Sequence, residues 1–422
     1  MGGPGPQRAA LLQLPRGLPR AGGRRRRPTG GRCRRPRGRT RRLAGEPGGG
    51  TAGRHGRSRR DRGQPGRHRA HCRCPAVPGR WGWAVSLADL LLPLAPLYAA
   101  AVRARAGAYA RGLLASHRLE VPVVSVGNLT FGGTGKTPTV IALVRDLIGR
   151  GRRPAVLSRG YRRSSAEPLL ALGPDPGLPA EAIGDEPAEL ARRLPGVPIV
   201  VDADRVRGGR TAMAHGADVV VLDDGFQHLR LERDLDLVLV DAGDPWGGGR
   251  LPPRGRLREP MAALERASAV LVTKVPADHR AVVEAVGDAV VAHAGAIPVL
   301  AARLRLSRVR TGPGWQEPAA LAGRRLFAFA GVGRPGGFAA LLEEAGAELA
   351  GSRWYPDHHR YTTAELASLA AAASAAGATL VTTGKDAVKL PADVAVWEVE
   401  AEMEPVDGSW DRLWQLLPGG AP

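Results

Sequence analysis

The chain has 422 residues and a formal net charge of +21, a balance that by itself points to a nucleic-acid partner. The excess is confined to residues 1–80, which hold 23 arginines, two acids (Glu46 and Asp61) and no lysine; the other 342 residues set 38 Lys and Arg against 38 Asp and Glu. All three cysteines, Cys33, Cys72 and Cys74, fall in the same stretch, so the remainder excludes disulfides and thiolate metal sites and fits a reducing, cytoplasmic compartment.

Residues 1–84 are Arg, Gly and Pro with almost no apolar periodicity, and such a composition cannot bury enough surface to offset chain entropy. A disordered leader is expected there. It lacks the apolar stretch and small-residue cleavage site of a secretory signal. Its composition is what GC-rich DNA yields in almost any frame, and the expectation is a mis-set start with translation beginning near Val85. A peptide from residues 1–80 in the mass spectrum of the native protein would contradict that. The apolar run from Val85 to Ala101 is broken by Asp89, Pro93 and Pro96 and followed by Arg103, Arg105, Arg111 and Arg118. A bilayer span needs about 20 apolar residues. A shorter apolar segment beside basic ones suits the interface of an anionic membrane, and residues 85–118 are read as a membrane-associating helical segment. The alternative is a helix packed on the protein's own surface.

From there short apolar runs alternate with helical stretches, the pattern of a parallel sheet covered by helices. Residues 121–126, 154–158, 198–201, 218–222, 236–240 and 268–273 read as strands, and their continuous apolar character fits burial on both faces. A smaller alternation follows, with strands at Leu326–Ala330 and Thr379–Thr383 and an Ala-rich helix around Glu365–Ala376. The expected fold class is α/β: a P-loop kinase-like, mostly parallel sheet flanked by helices over residues 119–300, a linker over 301–322, and a second, smaller α/β domain over 323–422.

GNLTFGGTGKT, residues 127–137, lies directly between a strand and a helix. Glycines there let backbone N–H groups crowd around phosphate oxygens, the helix start adds partial positive charge, Lys136 reaches the terminal phosphates and Thr137 offers a hydroxyl to Mg²⁺. The usual G-x-x-x-x-G-K-T pattern has glycine where this chain has Thr130; Gly132 and Gly133 are expected to supply the freedom instead. The strand at 218–222 ends in Asp223-Asp224, followed by Gly225-Phe226-Gln227-His228. Carboxylates at a strand's C-terminal end can hold Mg²⁺ against a nucleotide, and a pair leaves one of them to orient substrate or a neighbouring ligand. Further polar clusters, Ser158-Arg159-Gly160-Tyr161, Gly184-Asp185-Glu186-Pro187, Asp204-Arg205, Arg258-Glu259-Pro260 and Asp357-His358-His359, lie near strand ends, where α/β enzymes keep their sites.

Together the segments GNLTFGGTGKTP, LSRGYRR, GDEPAELARR, LDDGFQHLRLERDLDLVLVDA, LPPRGRLREP, FAGVGRPGGF, YPDHHRYT and TTGKDAVKL make residues 85–400 resemble the tetraacyldisaccharide 4′-kinase family. That family also has a residue other than glycine at the position of Thr130. The resemblance implies ATP-dependent transfer of the γ-phosphate to the 4′-hydroxyl of a tetraacyldisaccharide 1-phosphate in lipid A biosynthesis. It implies an ATP loop of Thr130, Gly132, Gly133, Thr134, Gly135, Lys136 and Thr137, and a Mg²⁺ site of Thr137 and Asp223. It further implies that Asp185, paired with His358 from the second domain, activates the hydroxyl, and that the cleft closes for turnover. Tyr161, Arg205, Asp224, Gln227, His228, Arg258 and Glu259 would line the substrate or nucleotide cleft, with His359 a neighbour. The expected partners are an acylated disaccharide lipid and the anionic surface of the bacterial inner membrane on its cytoplasmic side, with no specific nucleic acid and no obligate protein partner.

Three other readings compete. A P-loop NTPase that inserts metals or partitions cargo would need a partner surface, and a metal inserter should show cysteine that this body lacks. A dinucleotide enzyme could use Gly331-Val332-Gly333-Arg334-Pro335-Gly336, but Gly351-Ser352-Arg353 stands where the ribose-binding acid is expected about 20 residues on. A nucleic-acid binder would rest on the arginine leader alone, without aromatic interleaving, and would bind through phosphates only.

Overall fold

The computed structural model describes residues 94–160, 169–172, 183–333, 335–357, 359–391 and 393–417, all within the compact unit Arg80–Pro422. The first half runs α1 (Leu94–Ala110), β1 (Val123–Asn128), α2 (Lys136–Gly149), β2 (Pro154–Ser158), β3 (Leu169–Leu172), α3 (Asp185–Arg193), β4 (Pro198–Val201), α4 (Arg205–Ala214), β5 (Val219–Asp223), β6 (Leu235–Asp241), β7 (Ala269–Thr273) and α5 (Arg280–Ala294). The second runs β8 (Val299–Arg310), β9 (Trp315–Gln316), β10 (Arg325–Gly331), α6 (Pro335–Glu344), β11 (Glu348–Tyr355), α7 (Thr363–Ala375), β12 (Thr379–Thr383), α8 (Gly384–Ala387), β13 (Trp397–Pro405) and α9 (Asp411–Trp414).

Local chemistry explains the helix starts. Gly135 is left-handed (φ 84°) and turns the chain from loop into α2, which buries Val140, Ile141, Leu143, Val144 and Leu147 against the sheet. The Asp204 side chain accepts the N–H groups of Val206 and Arg207 and so caps α4. Thr362 and Glu365 close a reciprocal capping box on α7.

The strands form one continuous sheet in the order β11-β10-β12-β13-β8-β7-β6-β1-β5-β2-β4-β3, with β9 on β8. Central β1 is parallel to both β5 and β6 and places Val126 beside Asp223. The strand that joins the halves is β8, which is parallel to β7 at Val299–Ala301 and then antiparallel to β13 from Ala302 to Arg310. Much of the stretch expected as a linker is therefore sheet, and the C-terminal strands extend the first sheet.

The join is also ionic. Glu398 and Glu400 of β13 are fully buried. Glu400 Oε2 takes Arg193 Nε at 3.2 Å and Arg308 Nε at 2.8 Å, Glu398 Oε2 takes Arg310 at 2.6 Å, and Arg192 pairs with the other oxygen of Glu398. Removing Glu400 leaves the buried Arg193 one acid short, with only Glu189 and Glu402 beside it, so Glu400→Ala is expected to cost up to about 3–5 kcal/mol in a urea titration. A loss below ~1 kcal/mol would show instead that the arginines reach water.

Candidate active site

The phosphate-type loop is built from both sides. The N–H of Phe131 donates to the Arg256 carbonyl at 2.7 Å, the N–H of Arg258 donates to that of Leu129 at 2.6 Å, and Thr130 bridges Leu257 in antiparallel fashion. Thr130 does not have positive φ; Gly132 (φ 125°) and Gly135 (φ 84°) do. The position that the usual pattern gives to glycine is thus a short β-bridge that threonine adopts without strain. Beneath the loop, Thr273 Oγ1 donates to the Thr134 carbonyl at 2.8 Å, and Lys274 Nζ binds the Gly133 carbonyl and lies 2.9 Å from Asp241 Oδ2. Sequence reading missed Thr273 and Lys274 as site residues; a Thr-Lys pair ending a buried strand was the available signal.

Two adjacent carboxylates at the end of β5 meet opposite fates. Asp224, left-handed at φ 56°, accepts Arg258 Nη1 at 2.9 and 2.8 Å and lies 3.6 Å from Lys136 Nζ. Burial opposes its charge, but Lys136 and Arg258 outweigh that and hold it below the usual carboxylate range. Asp223 is only 2% exposed. Ser158 Oγ reaches its Oδ2 at 3.4 Å, while Oδ1 has no hydrogen-bond partner among the described residues. Burial first, then the charges of Glu186 and Asp224, push Asp223 up to about 7. Ser125 Oγ and Thr134 Oγ1 are likewise buried without partners. Buried polar atoms without partners are costly, and a bound ion or water is one way in which they are satisfied.

Cations and neutral polar groups surround this pair. Arg205, 3% exposed, donates Nη1 to the Asp202 carbonyl at 2.7 Å and is pushed down to about 10, chiefly by burial. Gln227 Nε2 donates to the Asn128 carbonyl at 3.0 Å. Burial and the charges of Arg205, Arg233 and Arg105 push His228 down to about 4, so its imidazole is neutral near pH 7. Glu259 is buried in an ion pair with Arg266 at 2.8 Å, and that guanidinium also covers the Phe226 ring.

Asp185 opens α3, where a carboxylate favours the helix dipole. Its Oδ2 lies 3.8 Å from Lys389 Nζ, and Lys385 of the same TTGKDAVKL segment pairs with Asp357. Glu186, Lys385, Asp386 and Lys389 were not among the expected site residues; the segment carried the signal but no chemistry that spacing alone could assign. Tyr161 and His358 lie outside the described residues. His359 stacks on Tyr355 at 4.5 Å and bonds Glu365 at 3.1 Å. In the second glycine-rich turn the Gly331 N–H is taken by buried Asp386 Oδ2 at 3.0 Å, which occupies an amide that a dinucleotide phosphate would need.

The first helix touches the same region. Tyr98 donates its hydroxyl to the Arg258 carbonyl at 2.8 Å and Arg105 Nη1 reaches the Gln227 carbonyl at 3.2 Å, while Leu97, Leu113, Leu114 and Phe131 are exposed. No helix of the described residues is long and apolar enough to cross a membrane.

Because the folded state raises the Asp223 pKa, the native protein binds more protons than the unfolded chain between about pH 4 and 7, and stability falls as pH rises through that window. In metal-free buffer Asp223→Asn should therefore be more stable than wild type at pH 8 by up to a few kcal/mol, with the difference fading towards pH 4. Urea unfolding at both pH values checks this; a less stable variant at pH 8 would contradict it.

The family model described as Tetraacyldisaccharide-1-P 4′-kinase (LpxK) matches residues 87–417. A relative named Tetraacyldisaccharide 4′-kinase from Anaeromyxobacter sp. (strain Fw109-5) is 45% identical over 352 residues, covering 81% of this chain and 93% of its own length. One from Geobacter metallireducens is 45% identical over 307 residues, covering 71% and 88%. The crystal structure of an "apo" form of LpxK from Aquifex aeolicus in complex with ATP is similar at a TM-score of 0.62 and 30% identity, covering 78% of this chain and 98% of that one. This chain belongs to the tetraacyldisaccharide-1-P 4′-kinase family.

Proposed function

We propose that this site transfers the γ-phosphate of ATP to the 4′-hydroxyl of a tetraacyldisaccharide 1-phosphate, with Lys136 and the amides of Gly132, Gly133 and residues 135–137 holding the phosphates. The observation that carries the reading is the buried Asp223 oxygen without a partner beside that loop, across from Lys136 and Arg205. Asp223 and the Thr137 hydroxyl fit Mg²⁺, a hard cation that takes one or two protein oxygens and fills its shell from phosphates and water. When bound it would offset charge on the β- and γ-phosphates. Asp224 keeps Lys136 and Arg258 at the cleft as fixed cations. Preorganised cations of this kind favour the charge spread of phosphoryl transfer.

Asp185 accepts the proton of the attacking hydroxyl late in the transfer, and His358 pairs with it in this reading. Tyr161, Arg205, Gln227, His228 and Arg258 border the sugar or nucleotide. The exposed apolar residues of α1 and its arginines suit the cytoplasmic, anionic surface of the inner membrane, where the acyl chains can stay in lipid.

The test is transfer of labelled γ-phosphate from ATP to a tetraacyldisaccharide 1-phosphate in detergent. Lys136→Ala and Asp185→Ala are each expected to lower kcat at least ~10²-fold in folded protein. Label released only as inorganic phosphate by the wild type would overturn the kinase assignment of the site. Wild-type rates in Asp185→Ala would remove Asp185 as the proton acceptor.

A further inference from the structure

The segment after β12 holds a lysine whose place is explained neither by nucleotide binding nor by the hydrophobic core. The Lys389 side chain is 6% exposed. Its Nζ lies 3.1 Å from Asp386 Oδ1 and 3.8 Å from Asp185 Oδ2. Asp386 itself is fully buried and immobilised, because its Oδ2 accepts the Gly331 N–H at 3.0 Å and the Thr383 hydroxyl at 2.8 Å. The backbone of Lys389 adds a third restraint, its N–H donating to the Asp386 carbonyl at 3.0 Å. Anchored in this way to the ends of β10 and β12, the ammonium faces the start of α3.

We propose that Lys389 is a positioning residue for phosphoryl transfer, a fixed charge on the C-terminal segment that sets the place of the Asp185 carboxylate at the first turn of α3. The inference rests on the reading of Asp185 as proton acceptor. At 3.8 Å the contact is longer than a hydrogen bond, so Lys389 acts on Asp185 as a charge rather than as a donor. A buried ammonium is tolerated when paired, and Asp386 supplies that pairing from behind. The rival explanation is that Lys389 serves only to neutralise Asp386 and stabilise the β10–β12 end of the sheet.

Steady-state kinetics at saturating ATP and lipid separate the two. Lys389→Met should lower kcat by on the order of 10²-fold while KM for ATP changes by less than about twofold, and Lys389→Arg should recover most of the rate. In an Asp185→Asn background Lys389→Met should cost nothing further, since a residue acting through Asp185 has no second route to the chemistry. Unchanged kcat in folded Lys389→Met, or losses that multiply in the double variant, would overturn the proposal. If Asp185→Asn alone keeps the wild-type kcat, the reading of Asp185 fails first, and the proposal with it. Should Lys389→Met not fold, the paired Lys389→Gln/Asp386→Asn variant removes both buried charges at once, and the same kcat loss and the same lack of effect on Asp185→Asn are expected of it.

Discussion

Helix α3 is gripped at both ends by the C-terminal strands, and the geometry of the site depends on that grip. At its start Asp185 faces Lys389 of the segment after β12; at its end Arg192 and Arg193 enter the buried acids of β13. Arg192 also donates to the Gly384 carbonyl at 3.1 Å. Replacing such an ionic cluster with apolar side chains can be neutral for stability, whereas its directional pairs suit a role in fixing register. The cluster ties the end of α3 to β13 and to the turn after β12.

The electrostatics of the cleft follow from burial and from the charges gathered there. Burial first, then the charges of Glu186 and Asp224, drive Asp223 towards protonation, while Asp224, facing Lys136 and Arg258, stays ionised. Two adjacent carboxylates are thus set apart, Asp224 paired with Lys136 and Arg258 and Asp223 held without such a pair. The neutral His228 is set by the same surroundings, since three arginines and burial act against its charge. These perturbed groups gather at the C-terminal ends of β1 and β5, where parallel α/β sheets hold their ligands.

The first half was legible because its strands are apolar on both faces, and 154–158 and 198–201 appear with the expected bounds, as does 379–383 in the second half. The strands at Val299–Arg310 and Trp397–Pro405 were not, because arginine and glutamate alternate with apolar residues along them and such alternation reads as solvated surface. Glu398 and Glu400 are buried in pairs with arginines of the neighbouring strand and of α3, a pairing invisible before the elements are brought together. Motif reading and the family resemblance singled out Lys136, Asp223, Asp224 and Asp185 as candidates. Neither could see that Thr130 lies in a β-bridge, that Glu259 pairs with Arg266, or that Lys389 approaches Asp185 across more than two hundred residues of sequence, since each depends on a tertiary contact.

In the proposed mechanism the hydroxyl attacks the γ-phosphorus directly, with Asp185 taking a proton and never the phosphoryl group. The most direct test is the stereochemical course with ATP made chiral at the γ-phosphorus by oxygen isotopes and sulfur. A single in-line displacement predicts inversion in the lipid product. Retention would mean two displacements through a phosphorylated side chain, and would contradict the role of Asp185 as proton acceptor.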